Sequence, residues 1–230
     1  MPESELDLIN ITTRMFVEPT LKVDRERLTK YRDSEIANTK QLIVDSGVDR
    51  AVLASNQKFS AHIEELAIEP PTKRSPTTSK LIPALGKNDN GFKQLRDIYP
   101  EHNNLWKARL AVKSRIAETR AQRFLDAANE DDTIGVPLRY YAAHTGRFGG
   151  TEKLNMQNLP RGSELRKSLL APKGMYVYSM DLSNIEARML AWLAGDEKLL
   201  RLYNLNEDVY AAFASEIYGR PITKEKDPDE

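Results

Sequence analysis

The chain has 230 residues, with 34 Lys and Arg balanced by 34 Asp and Glu, 40% hydrophobic residues and no cysteine. That length holds one large domain or two small ones and buries a sizeable core, while the missing cysteines exclude disulfides, thiolate metal ligands and thiol catalysis. No run approaches the roughly 20 apolar residues of a membrane span, the acidic start Met-Pro-Glu-Ser-Glu-Leu-Asp is unlike a signal peptide, and a soluble cytoplasmic protein without a membrane partner is expected.

A formal charge of zero argues against a nucleic-acid partner only where the charges are evenly spread. They are not. Between Trp106 and Arg123 the bases Lys107, Arg109, Lys113, Arg115, Arg120 and Arg123 meet one acid, Glu118, whereas the C-terminal residues include Asp227, Asp229 and Glu230.

In chain order, residues 24–46 have helix-forming composition, with Asp24 as N-cap and Gly47 as stop. Residues 69–87, with Pro70, Pro71, Pro76 and Pro83, cannot continue a helix and read as an irregular connection. Over residues 104–129, Leu105, Ala108, Val112, Ile116, Phe124, Leu125 and Ala128 recur near the helical period. This predicts one long amphipathic helix with its basic residues largely off the core stripe. Val136, Leu138, Tyr140 and Ala142 then alternate as in a strand, and a turn rich in glycine follows at residues 145–150. Residues 175–180, Met-Tyr-Val-Tyr-Ser-Met, read as a buried strand ending on Asp181. Ser183 and Glu186 have the spacing of a capping box opening a helix that stops at Gly195. Two short helices follow, one after Asp196 through Tyr203 and one from Asp208 to Gly219.

A carboxylate where a strand gives way to a helix suits a divalent metal, so Asp181 is either a magnesium ligand or an ordinary solvated or capping residue. Glu186 either closes the capping box or touches a bound sugar. Arg147 lies next to Gly146 and close to Gly149, where backbone can approach a ligand, and its guanidinium suits a phosphate or a base edge; a structural role is the alternative. Asn155, Gln157 and Asn158 offer uncharged donors and acceptors, and are also ordinary loop composition.

Residues 144–161, His-Thr-Gly-Arg-Phe-Gly-Gly-Thr-Glu-Lys-Leu-Asn-Met-Gln-Asn-Leu-Pro-Arg, resemble the T-G-R…N-L-Q-N-[IL]-P segment of family A DNA polymerases. Residues 181–188, Asp-Leu-Ser-Asn-Ile-Glu-Ala-Arg, resemble that family's motif A, and Leu-Ala-Gly-Asp at 193–196 and Asp-Val-Tyr at 208–210 resemble its continuation. Ala143-His144-Thr145-Gly146-Arg147 has a phage-like character. Pro-Thr-Leu-Lys-Val-Asp at 19–24, Pro-Thr-Lys at 71–73 and Lys113-Ser114 agree with less specificity.

The resemblance implies an α+β fold, with long thumb helices beside part of an antiparallel palm sheet and flanking helices. It divides the chain into a lead-in at 1–23, a thumb-like helical region at 24–130 and a partial palm at 131–230. It implies template-directed nucleotidyl transfer with two Mg²⁺ ions, Asp181 being one metal ligand and Glu186 restricting the sugar pocket. Primer-template DNA falls to Arg147, Asn155, Gln157, Asn158, Lys113 and Arg188. The incoming deoxynucleoside triphosphate falls to Leu182, Ser183, Glu186 and Tyr210, with Arg188 structural or near the primer end. Asn184 stands where the family has Gln, and Tyr210 where it has His. Motifs B and C, which carry further nucleotide contacts and a second aspartate, are not in the sequence, so the chain alone is expected not to polymerise DNA. A truncated or split polymerase of this family is the leading expectation, a second chain carrying them if it is split; a non-catalytic DNA-binding module or a helical domain with a residual motif match are the others.

Overall fold

The computed structural model describes residues 1–223 and 225–227. The fold is α+β, mostly helical with small antiparallel strand pairs. It divides into two compact units, Met1–Val177 and Tyr178–Glu230. No helix among the described residues is long and apolar enough to cross a membrane.

The first unit opens with α1 (Glu3–Val17) and β1 (Lys22–Val23), followed by α2 (Arg25–Ser46). Helix α2 is bounded as its sequence predicts: Asp24 accepts from the Arg27 N–H, and Gly47 adopts a left-handed φ of 66° that closes the last turn. Short helices α3 (Arg50–Ala54) and α4 (Asn56–Glu65) lead to a hairpin of β2 (Thr72–Arg74) and β3 (Leu81–Pro83), with Lys73 opposite Ile82. The expected irregular connection at 69–87 is therefore corrected. Its prolines sit outside the paired run or at its last position, where a two-stranded ribbon needs no further N–H.

After α5 (Asn90–Ile98) come α6 (Asn103–Lys113) and α7 (Ile116–Ala127), so the single long helix predicted over 104–129 is two. Ser114 leaves helical geometry at φ −117°, ψ 78°. The break has a packing cause. Helix α6 faces one core, where Leu105, Trp106, Ala108 and Val112 meet Leu53, Phe59, Ile63, Leu85 and Phe92. Helix α7 faces another, where Ala121 and Phe124 meet Val23, Leu28, Ile134, Leu154 and Leu165. The 22-residue α2 lies along both helices. Trp106 centres the first core, edge-on to Phe59 and Phe92 with centroids 6.3 and 5.9 Å away, and donates from Nε1 to the Tyr99 carbonyl at 2.9 Å. Such pairs add about 1 kcal/mol beyond area burial.

The unit ends with β4 (Leu138–Arg139), β5 (Gly149–Gly150), α8 (Glu164–Lys167) and β6 (Leu169–Leu170); β4 pairs with β5 and β6 with β1, all antiparallel. The strand expected from Val136 to Ala142 shortens to two residues because Tyr141 turns the chain at φ 49°.

The second unit contains α9 (Ile185–Ala194), α10 (Glu197–Asn204) and α11 (Val209–Tyr218). Asp196 and Asp208 cap the last two, accepting from the Leu199 N–H and from the Tyr210 and Ala211 N–H groups, and Gly195 and Gly219 close α9 and α11 with positive φ. Two expectations fail here. Residues 175–180 are exposed and form no strand, with Tyr176 80% and Met180 94% accessible. A strand is held by a hydrogen-bonded neighbour, and no described strand pairs with this run. The capping box does not form either. Asn184, at φ 54°, occupies the N-cap position without a side-chain cap bond, which leaves Glu186 second in the helix and not third, where the box requires it.

Candidate nucleic-acid interface

Arg147 lies in the loop that joins β4 to β5. The loop turns at Gly146, φ 79°, whose N–H bonds to the Ala143 carbonyl at 2.9 Å, while the Ala143 N–H bonds to the Arg147 carbonyl at 3.2 Å. Tyr140 packs on Tyr141 and Phe148, with centroids 5.9 and 5.6 Å apart, and its hydroxyl donates to the Glu5 carboxylate of α1. That hydrogen bond, then burial, holds the Tyr140 phenol above its ordinary pKa. The arrangement fixes the base of the loop and leaves Arg147 exposed at its end.

Gly150 brings in the polar cluster. A Cβ at this position would lie 2.8 Å from the Asn155 Cα, so only glycine allows β5 to lie against the 3₁₀ turn of Met156–Asn158. Leu154 and Leu159 anchor the turn in the core on either side. Gln157 and Asn158 are exposed, and Asn155 is half-buried with its Oδ1 unpaired. The loop carrying Arg147 and the turn carrying Asn155, Gln157 and Asn158 are thus one continuous structure. Lys113 is placed elsewhere in the unit, at the end of α6, with its Nζ 3.3 Å from the Ala54 carbonyl at the C-terminus of α3.

In the second unit Asp181, Leu182 and Ser183 are exposed in the segment before α9, and Glu186 is exposed in its first turn. Arg188 fixes this region. Its Nε donates to the Ser183 carbonyl at 3.0 Å, an Nη donates to the Tyr203 carbonyl at 3.3 Å, and the guanidinium lies 4.6 Å from the Tyr203 ring centre. Arg188 therefore ties α9 to α10 and holds the backbone two residues beyond Asp181. Tyr210 is exposed at the edge of a cavity of about 490 Å³ between α10 and α11, whose walls include Leu199, Leu202 and Phe213. Among the described residues no group of three or more His, Asp or Glu gathers as a metal site.

One basic residue is misassigned by composition. Arg109 belongs to the core: it is fully buried, donates to the Leu53 carbonyl and the Asn56 Oδ1, and stacks 4.7 Å over Phe59. Its position four after Leu105 and three before Val112 was the signal that it shares the core stripe. Arg25 has no sequence signal; it bonds the Ala128 and Asn129 carbonyls at the end of α7 and pairs with Asp132 at 2.5 Å.

The sequence profile described as DNA polymerase family A matches residues 25–229. DNA polymerase I of Pseudomonas aeruginosa is 37% identical over 114 residues, 47% of this chain and 12% of that protein. The thermostable DNA polymerase I of Thermus aquaticus is 36% identical over 84 residues, 35% of this chain and 10% of that protein. The chain thus spans about a tenth of the length of these relatives. Its fold is similar to that of the POL domain of Pol1 from M. smegmatis, solved in complex with DNA primer-template and dNTP. The TM-score is 0.70 at 22% identity, over 94% of this chain and 38% of that one. With the profile running from the start of α2 past α11, the chain belongs to DNA polymerase family A.

Proposed function

We propose that this chain supplies a primer-template grip and one catalytic carboxylate of a phage-like, DNA-directed DNA polymerase. The observation that carries the reading is the family match across residues 25–229, which takes in both the β4–β5 loop with its polar turn and the segment around Asp181. In this reading Arg147 reaches the duplex near the primer terminus, and Asn155, Gln157 and Asn158 contact it through uncharged donors and acceptors. Lys113 adds a phosphate contact. Leu182, Ser183 and Tyr210 border the deoxynucleoside triphosphate, Glu186 limits the space beside its sugar, and Arg188 acts as a positioning residue through the Ser183 carbonyl.

Family A polymerases use Mg²⁺. Asp181, exposed and acidic, suits one ligand of an ion whose other positions go to phosphate oxygens and water, but the described residues do not by themselves make a two-ion site. In nucleotidyl transfer such ions activate the attacking hydroxyl and stabilise the leaving pyrophosphate. This chain's own residues bind the duplex, orient the primer end and shape the sugar pocket. We propose that the chain alone does not extend a primer and that residues of motifs B and C complete the centre. A second reading, a DNA-binding module without catalysis, is favoured by the lack of any group of three or more acidic or His side chains that could hold a metal among the described residues.

Binding of a fluorescent primer-template by the purified chain tests the grip. Arg147→Ala is expected to weaken it by about tenfold, within the 1–3 kcal/mol typical of a guanidinium contact to a base. An unchanged affinity would remove Arg147 from the interface.

A further inference from the structure

Helix α1 lies before the start of the family profile at residue 25, yet both of its ends are tied to the segment that carries Arg147. At the C-terminal end, the Val136 N–H donates to the Met15 carbonyl at 2.9 Å. Gly135 comes so close to the same turn that a Cβ there would lie 2.7 Å from the Phe16 carbonyl oxygen. At the N-terminal end, Glu5 accepts from the hydroxyl of Tyr140, 135 residues away in sequence. A groove of about 480 Å³ remains beside α1, lined by Ile9, Thr12 and Phe16 from the helix and by Leu138 and Thr151. The Glu5 bond therefore fixes what packing leaves loose.

Tyr140 carries that tie to Arg147. Its ring stands against Tyr141 where the loop begins and against Phe148, next to Arg147, where it ends, with centroids 5.9 and 5.6 Å away. Tyr141 in turn lies close to Gly146, where a Cβ would be 3.2 Å from its ring. The residues on both sides of Arg147 thus rest on rings whose common anchor is the hydroxyl bonded to Glu5. An ionised acceptor makes such a bond roughly twice as strong as a neutral one.

We infer that Glu5 is a positioning residue for primer-template binding, holding Arg147 in place through the Tyr140 hydroxyl. The inference rests on the polymerase reading and adds to it a determinant outside the family profile. The other role open to Glu5 is local, since an acid in the first turn of α1 faces the positive end of the helix. Glu3 shares that role, being exposed in the same turn, and so separates the two.

The test is fluorescence anisotropy of the purified chain with a labelled primer-template, below the melting temperature of every variant. Glu5→Ala removes a negative charge, which by itself strengthens binding to phosphate. Positioning requires the opposite sign. E5A and Tyr140→Phe, which keeps the ring, should each weaken binding by about threefold to fivefold, as residues coupled in one network do. The double variant should bind no more weakly than either alone, and E5A should cause no further loss in an R147A chain. Glu5→Gln, which keeps an acceptor oxygen, should recover most of the affinity, and Glu3→Ala should not weaken it. Unchanged binding by E5A and Y140F overturns the positioning role alone, as does an equal loss in E3A, an E5Q chain as weak as E5A, or a loss that adds in full to that of R147A. Failure of the unaltered chain to bind, or undiminished binding by R147A, overturns the proposed grip of Arg147 and this inference together.

Discussion

Arg109 carries a charge into the first core and forms no ion pair among the described residues. Burial pushes its guanidinium down to about 10, below the ordinary range of an arginine. The unfolded chain therefore binds the extra proton between that value and the ordinary range, so stability contributed at this site rises with pH across that window and is lowest below it. At neutral pH the charge is retained because the Leu53 carbonyl, the Asn56 amide oxygen and the Phe59 ring receive it. Arg109→Met should destabilise the first unit by roughly 2–3 kcal/mol by leaving those two acceptors unpaired, as read by urea unfolding. A gain in stability would mean that desolvation outweighs the bonds. Asp89 behaves in the opposite sense. Its carboxylate accepts from the Lys73 Nζ at 2.5 Å and from the Gly86 N–H at 2.8 Å, and the Lys73 bond is the main cause of its lowered pKa. That contribution is present above the ordinary value of 3.8 and is lost as pH falls through the lower folded value. In thermal melts from pH 5 to pH 2, Asp89→Asn should reduce the acid loss of stability; an unchanged acid profile would remove Asp89 from it.

At the scale of elements, what could be read from sequence was what is decided locally. Asp24, Asp196 and Asp208 cap their helices through their own carboxylates, and Gly47, Gly195 and Gly219 close helices with positive φ, all within a turn of the residues that signal them. Asp196→Ala should cost about 1 kcal/mol in the second unit by freeing the Leu199 N–H, measurable in its thermal melt; no change would mean the cap is replaced by water. Pairing and packing were not legible in the same way. The run at 175–180 has the composition of a strand but no described partner, and the helix at 104–129 breaks because its two halves serve different cores. Asn184 defeats the apparent capping box by taking a left-handed conformation one residue late. The candidate site divides similarly. Motif letters marked Arg147, Asn155 and Asp181, whereas the contact that unites β5 with the polar turn depends on Gly150, whose closeness to Asn155 is a fact of tertiary structure. Gly150→Ala should displace that turn and weaken primer-template binding several-fold more than it lowers thermal stability; unaltered binding would contradict this coupling.

For the whole molecule, a balanced total charge conceals unequal local distributions. A groove between α2 and α7 has more bases than acids, and one of the bases on α6 is spent inside the core. The second unit leaves Leu190, Trp192, Leu193, Phe213 and Ile217 each more than 60% exposed. Such an apolar surface predicts association of the purified chain at high concentration, visible as a concentration-dependent sedimentation coefficient. In the proposed function the chain brings Asp181 to a polymerase centre completed by motifs B and C. Single-turnover primer extension by the chain mixed with a polypeptide carrying those motifs tests it most directly. No extension by the chain alone, template-directed extension by the mixture, and loss of at least a hundredfold in rate with D181A are expected. Extension by the mixture at the same rate with D181A, or by the chain alone, would contradict it.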